Sequence, residues 1–305
     1  MERKRVLITG GTGFLGSHIS DYIREALGWE VIATHFPDWD FRESATALCL
    51  FFTYRPNILI NCAARVGGIK ANLATPGQFF YDNLAIGMNL MEAARKYPVE
   101  KFVQIGSACE YPVDAKLPMR EDDIWDGYPE PSNASYAIAK RALLEMGQAY
   151  RKEYGMNVIH LVPTNLYGPR DNFNPETSHV IPALIGKFLS GTDKVEILGN
   201  GAATRDFLFV KDAASMIVDS IIAYNEAAPL NLGSGERITI NLLAGMISRL
   251  TNYYGQITFG DSSMNGQPDR ILDTSRADAL GIQARTRLEE GLKETIAWYR
   301  NVKLR

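Results

Sequence analysis

The chain has 305 residues, 22% of them charged, and a formal net charge of -3. That balance holds no basic excess for neutralising a phosphate backbone, which argues against nucleic acid as a partner. No apolar run approaches the roughly 18 residues that cross a bilayer, and the opening "MERKRVLITGG" is too briefly apolar for a secretory signal, so the expected location is the cytoplasm, with no membrane partner.

A chain of this length suggests one large domain and a smaller one. "RVLIT" reads as a first strand, followed by the glycine run "GGTGFLG" and then a helix with Ile19, Tyr22, Ile23 and Leu27 on one face. Gly10, Gly13 and Gly16 give G-x-x-G-x-x-G between strand and helix. Glycines there let a pyrophosphate approach the free N–H groups of a helix N-terminus. "EVIATH" is a second strand. A dinucleotide site for NAD wants a carboxylate at its tip, yet Ala33, Thr34 and His35 stand there, which favours NADP; the arginine expected to meet a 2′-phosphate is not seen there either. "ILINCAA" is a third strand, a long helix begins near Pro76, and "KFVQIGSA" is a fourth strand. "SYAIAKRALLEMGQAYRKEYG" is a helix closed by Gly155, and "NVIHLVPTNLYGP" is a fifth strand running into a loop. Strands alternating with helices predict a Rossmann-type, doubly wound parallel sheet.

From about residue 170 the texture changes. "RDNFNPETSH" is loop-like, "HVIPALIGKFLSG" reads as a helix, "VEILGNG" as strand and turn, and "RDFLFVKDAASMIVDSIIAY" as strand and helix. We expect residues 1–169, joined by 207–230, to form the dinucleotide-binding domain. Residues 170–206 and 231–305 then form a smaller α/β substrate domain. The three cysteines are Cys49, Cys62 and Cys109. Their odd count and lack of CxxC spacing argue against a disulfide framework. Apolar neighbours make Cys49 and Cys62 expected core residues, whereas Cys109 has polar ones.

The chemistry concentrates after the fourth strand. Tyr136 and Lys140 lie four apart and share a helix face. The expectation is that the lysine ammonium lowers the phenol pKa and makes Tyr136 a general acid or base. Ser107, at the end of the fourth strand, can orient the same carbonyl. This constellation resembles the extended short-chain dehydrogenase/reductase superfamily. The blocks "ARVGGIKAN", "SACEYP", "EPSNASYAIAK", "PTNLYGPRDNFNPETSHVIPALI" and "RDFLFVKDAA" resemble, more narrowly, the GDP-L-fucose synthase family.

That resemblance implies a bifunctional enzyme acting on a GDP-4-keto sugar with NADP(H), forming a homodimer and needing no metal. It assigns reduction to Ser107, Tyr136 and Lys140, and epimerisation at C3 and C5 to Cys109 and His179. It implies cofactor contacts at Gly10, Thr12, Gly13, Phe14, Leu15, Gly16, His35, Asp40, Ala63, Ala64, Ile105, Gly106, Tyr136, Lys140, Pro163, Asn165, Leu166 and His179. Substrate contacts are implied at Ser107, Ala108, Cys109, Asn165, Val180, Lys187, Leu198, Arg205 and Arg270. Four positions depart from the family pattern: Leu198 in place of a tryptophan, Glu110 in place of an apolar residue, Arg170 in place of a histidine and Asn265 in place of an aspartate. A smaller Leu198 would admit a bulkier sugar, such as a heptose. An inward-pointing Glu110 would raise the Cys109 thiol pKa.

Overall fold

The computed structural model describes residues 3–261 and 267–303, so Asn265 lies outside the described residues. Strands β1 (Arg5–Thr9), β2 (Glu30–Ala33), β3 (Ile58–Asn61), β4 (Lys101–Ile105) and β5 (Val158–Pro163) all run parallel. A sixth parallel strand from far along the chain, Leu230–Leu232, pairs with β5 and gives the spatial order 2-1-3-4-5 and then this late strand. The order reverses between β1 and β3, which is where a doubly wound sheet opens a crevice at its carboxyl edge.

Alternation along β1 shows how the sheet is covered. Val6 and Ile8 face one apolar layer with Ile19, Met216 and Ile217, while Leu7 faces the other with Leu50, Phe51, Leu90 and Met91; all of these are 0% exposed. Fully burying such a side chain stabilises the fold by roughly 1.5–3 kcal/mol. The first layer is carried by α1 (Phe14–Tyr22). The second is carried by α2 (Ser44–Tyr54), α4 (Pro76–Lys96) and α5 (Ala134–Tyr154), while the short α3 (Ile69–Ala74) packs beside α4. Gly155 closes α5 in the left-handed region, as its sequence predicts. Helix α2 was not anticipated, because "ALCLFF" is an apolar run without helical spacing. Cys49 sits on the outer face of α2 and is exposed, contrary to expectation; Cys62 is partly buried, and its surroundings push the thiol up to about 12.

Beyond β5 the chain makes β6 (Asn165–Tyr167), α6 (Val180–Phe188), β7 (Lys194–Ile197), β8 (Thr204–Arg205) and β9 (Phe207–Phe209). Helix α7 (Val210–Ala223) then returns to pack beside α1 and leads into the late strand β10 (Leu230–Leu232). The remaining elements are β11 (Ile238–Thr239), α8 (Ile240–Thr251), β12 (Gln256–Phe259), β13 (Asp269–Arg270), α9 (Ser275–Asp278) and α10 (Leu288–Lys303). A second apolar core gathers Ile185, Leu243, Ile247 and Leu292 from α6, α8 and α10. Among the described residues no helix is long and apolar enough to cross a membrane.

Candidate active site

One cavity of about 890 Å³ lies along the carboxyl edge of the sheet. It takes residues from the turns after β1, β2, β3, β4 and β5, and its far wall comes from α6, β7, β8 and β13. The glycine turn forms one end. Gly10 has φ +64°, and a Cβ on Gly16 would stand 2.3 Å from the Gly10 carbonyl oxygen, so neither position accepts a side chain. Gly13 precedes α1 without a side-chain cap, which leaves the first-turn N–H groups for an anion. The residues present therefore fit a dinucleotide.

A buried polar ladder crosses three strands just below this edge. Thr9 Oγ1 donates to Asn61 Oδ1 at 2.8 Å, Asn61 Nδ2 to Gln104 Oε1 at 3.0 Å, and Gln104 Nε2 to the Ile105 carbonyl at 3.0 Å. That carbonyl also accepts from Lys140 Nζ at 2.8 Å.

Ser107 opens a single 3₁₀ turn, and its Oγ accepts the Cys109 N–H at 3.2 Å. Its hydroxyl also bonds the Tyr136 side chain. Tyr136 lies one turn before Lys140 on α5, and Lys140 Nζ stands 5.8 Å from the Tyr136 ring centroid. The expected lowering of the phenol pKa is not found. Burial pushes the phenol up, the Cys109 and Glu110 charges push it further, and only the Ser107 hydrogen bond opposes them. The lysine lies over the ring and gives its proton to a backbone carbonyl, not to the phenol oxygen. Lys140 itself is brought down to about 8 by burial, against the Glu110 charge.

Cys109 Sγ receives two donors, Arg270 Nη1 at 3.3 Å and Asn133 Nδ2 at 3.4 Å. A sulfur anion here has a guanidinium and an amide N–H already aimed at it. Arg270, expected as a substrate contact, lines the cavity and also reaches the thiol, steadied by Gln267 Oε1 at 3.1 Å. Asn133 was not singled out, although it stands in the quoted block "EPSNASYAIAK", one turn before Tyr136. Glu110 points inward, with Oε1 on the Ser107 N–H and Oε2 by His160 Nε2. His179 caps α6 and opens onto the same cavity; burial and the Arg270 charge lower its pKa.

Most of the other expected contacts also line this cavity: Phe14, Leu15, Asp40, Ala63, Ala64, Gly106, Ala108, Pro163, Asn165, Leu166, Val180, Lys187, Leu198 and Arg205. Leu198 is 61% exposed where it lines the cavity. Lys187 Nζ donates to the Glu196 carbonyl at 2.7 Å, Asn165 Nδ2 to the Asp206 carbonyl at 2.8 Å, and Arg205 Nη1 to the Thr204 carbonyl at 2.8 Å. Thr12 and His35 do not line it; they bond each other at 2.9 Å on its exposed outer rim. Arg170 pairs outward with Asp21 at 2.7 Å, away from the cavity.

An arginine does reach the end of the cavity beyond β2, although none was read at that strand's tip. Arg42, nine residues past Ala33, lines the wall and holds the Asp40 carboxylate through Nε at 2.9 Å and Nη2 at 2.6 Å. This pairing keeps Asp40 below the usual carboxylate range. Among the described residues no His, Cys, Asp and Glu cluster could hold a metal.

Comparison with known proteins places these features. Residues 6–233 match the NAD dependent epimerase/dehydratase family. A protein of Oryza sativa subsp. japonica named probable GDP-L-fucose synthase 1 is 37% identical, over 97% of this chain and 92% of its own length. A GDP-6-OMe-4-keto-L-xylo-heptose reductase from C. jejuni superposes with a TM-score of 0.94 at 25% identity, covering 99% of both chains. A GDP-L-fucose synthetase from Naegleria fowleri solved with NADP bound superposes at 0.91 with 28% identity, over 100% of this chain and 95% of that one. The chain thus belongs to the NAD dependent epimerase/dehydratase family, within its GDP-L-fucose synthase branch.

Proposed function

We infer that this protein converts GDP-4-keto-6-deoxy-D-mannose to GDP-L-fucose by epimerisation at C3 and C5, followed by NADPH-dependent reduction at C4. The observation that carries this reading is the convergence of two proton-handling sets on one cavity: Ser107, Tyr136 and Lys140, and Cys109 with His179. A reductase alone has no use for the second set. NADPH supplies the hydride to C4.

The chain's own residues do the rest. A 4-keto group acidifies the hydrogens at C3 and C5. Cys109 removes one as thiolate, with Arg270 and Asn133 as its donors. Ser107 and Tyr136 hold the developing oxyanion. His179 returns a proton on the opposite face. Burial keeps Tyr136 protonated, so it serves reduction as the acid that protonates the C4 oxygen, with the Lys140 ammonium nearby. Lys187 and Arg205 suit the diphosphate. The two cores correspond in this reading to a dinucleotide domain (1–169 with 207–230) and a sugar domain (170–206 with 231–305). A cytoplasmic homodimer, meeting along α4 and α5, completes it.

A second reading, C4 reduction of a GDP-4-keto heptose with or without epimerisation, draws on the small, exposed side chain of Leu198 at the cavity and on the likeness to the heptose reductase. Both are tested by incubating the protein with GDP-4-keto-6-deoxymannose and NADPH in D2O. NADPH oxidation at 340 nm giving GDP-fucose with deuterium at C3 and C5 is expected, with the deuterium lost in Cys109→Ser. Oxidation without deuterium makes the enzyme a simple reductase. No turnover sends the substrate to the heptose series.

A further inference from the structure

Beneath the Ser107 turn lies a carboxylate that the reaction scheme does not use. Glu110 is 0% exposed. Its Oε1 accepts the Ser107 N–H at 2.7 Å, and its Oε2 stands 3.0 Å from His160 Nε2. His160, on β5, is 3% exposed, and its Nδ1 finds no partner. The ring proton therefore sits on Nε2 and is given to Glu110. The fit is close: a Cβ on Gly106 would stand 2.3 Å from His160 Nε2 and 2.6 Å from Glu110 Oε1.

A buried carboxylate is costly unless it is bonded and its charge is met. The groups that face it come from three elements. His160 comes from β5. Tyr136, Lys140 and Arg141 come from α5, with Arg141 Nε donating to the Glu110 carbonyl. Cys109 and Tyr111 come from its own segment. Lys140 and Arg141 are the cations of this set, and Arg141 is already bonded to backbone carbonyls of Glu110 and Gly127.

We propose that Glu110, held by His160, is a positioning residue of the C4-reduction site: it fixes the turn that aims Ser107 and is the buried counter-charge to the Lys140 ammonium. The inference rests on the reduction reading above. Lys140 stands at about 8, drawn down by burial while the Glu110 charge opposes that fall, and the two groups meet at one strand end, Lys140 Nζ on the Ile105 carbonyl and Glu110 Oε1 on the Ser107 N–H. With the charge removed, the ammonium is lost at lower pH.

Glu110→Gln keeps the size and an acceptor for the Ser107 N–H but removes the charge. The kcat for sugar reduction at pH 8 should fall about fivefold, with KM for NADPH held, and the alkaline limb of kcat should move down by about one pH unit. His160→Gln keeps a donor to the carboxylate and should leave that limb in place. An unmoved limb in Glu110→Gln overturns the proposal, as does an equal displacement in both variants. The Lys140 Cε resonance of lysine-labelled protein, assigned with Lys140→Met, reads the same titration without substrate. A lower midpoint in Glu110→Gln supports the proposal; an unchanged one overturns it. If the wild-type protein does not turn over the sugar, the functional reading fails while this titration still decides the present point. Should Glu110→Gln not fold, Glu110→Met, which removes the charge without burying an amide, takes its place in the titration: the midpoint should fall, and an unmoved midpoint overturns the proposal.

Discussion

Arg42 and Asp40 show how one side-chain pair can set a preference between two cofactors. The guanidinium grips Asp40 through Nε and Nη2 and also reaches Asp82 Oδ1 at 3.4 Å. It thereby neutralises a carboxylate that, left alone on this wall, would repel a 2′-phosphate. Arg42→Ala removes the cation and uncovers Asp40 together. The KM for NADPH should rise at least tenfold, since hydrogen bonds to charged groups are worth about 1.5–3 kcal/mol, while the KM for NADH stays level or falls. Steady-state kinetics with both cofactors check this, and equal losses for the two would remove Arg42 from phosphate recognition.

At the scale of elements, the loop between β6 and α6 carries a polar group at odds with its surroundings. Asp171 is 9% exposed, its Oδ1 accepts the Asn172 N–H at 2.7 Å, and its Oδ2 has no partner. Burial raises its pKa from 3.8 to about 7. A raised acid stabilises the fold while protonated, so its contribution is full below about pH 4 and is lost as pH rises through 7. Asp171→Asn should accordingly melt a few degrees higher than the parent at pH 8 and level with it at pH 4, by thermal denaturation at both values. The glycine turn, Ser107 and the Tyr136–Lys140 pair were legible because each is a local pattern tied to one strand end or one helix face. The donors on Cys109 were not, since Arg270 arrives from 161 residues away. Arg42 escaped because ten residues of irregular chain between β2 and α2 bring it back to the strand tip. The phenol pKa was misjudged because burial is a property of the whole surround, not of a four-residue spacing.

For the molecule as a whole, the outer faces of α4 and α5 carry exposed apolar side chains. Tyr81 is 62% and Met88 43% exposed on α4, and Tyr154 is 45% exposed on α5. Two such faces meeting across a twofold axis would form a self-complementary four-helix contact. Met88→Glu places a charge in that contact and should shift the protein to monomer by size-exclusion chromatography with light scattering; an unchanged mass puts the subunit contact elsewhere. The hydrogen-bonded ladder from Thr9 through Asn61 and Gln104 to the Ile105 carbonyl has a consequence at this scale too. It joins the strand that ends in the phosphate cradle to the strand whose last carbonyl anchors Lys140. A slip of one residue between β1, β3 and β4 would turn these side chains to the opposite face and leave buried amides without partners. The sheet thus works as a gauge block: it fixes the span between the turn proposed to moor the cofactor's charge and the place proposed for protonating the sugar's oxygen, whatever the loops above it do.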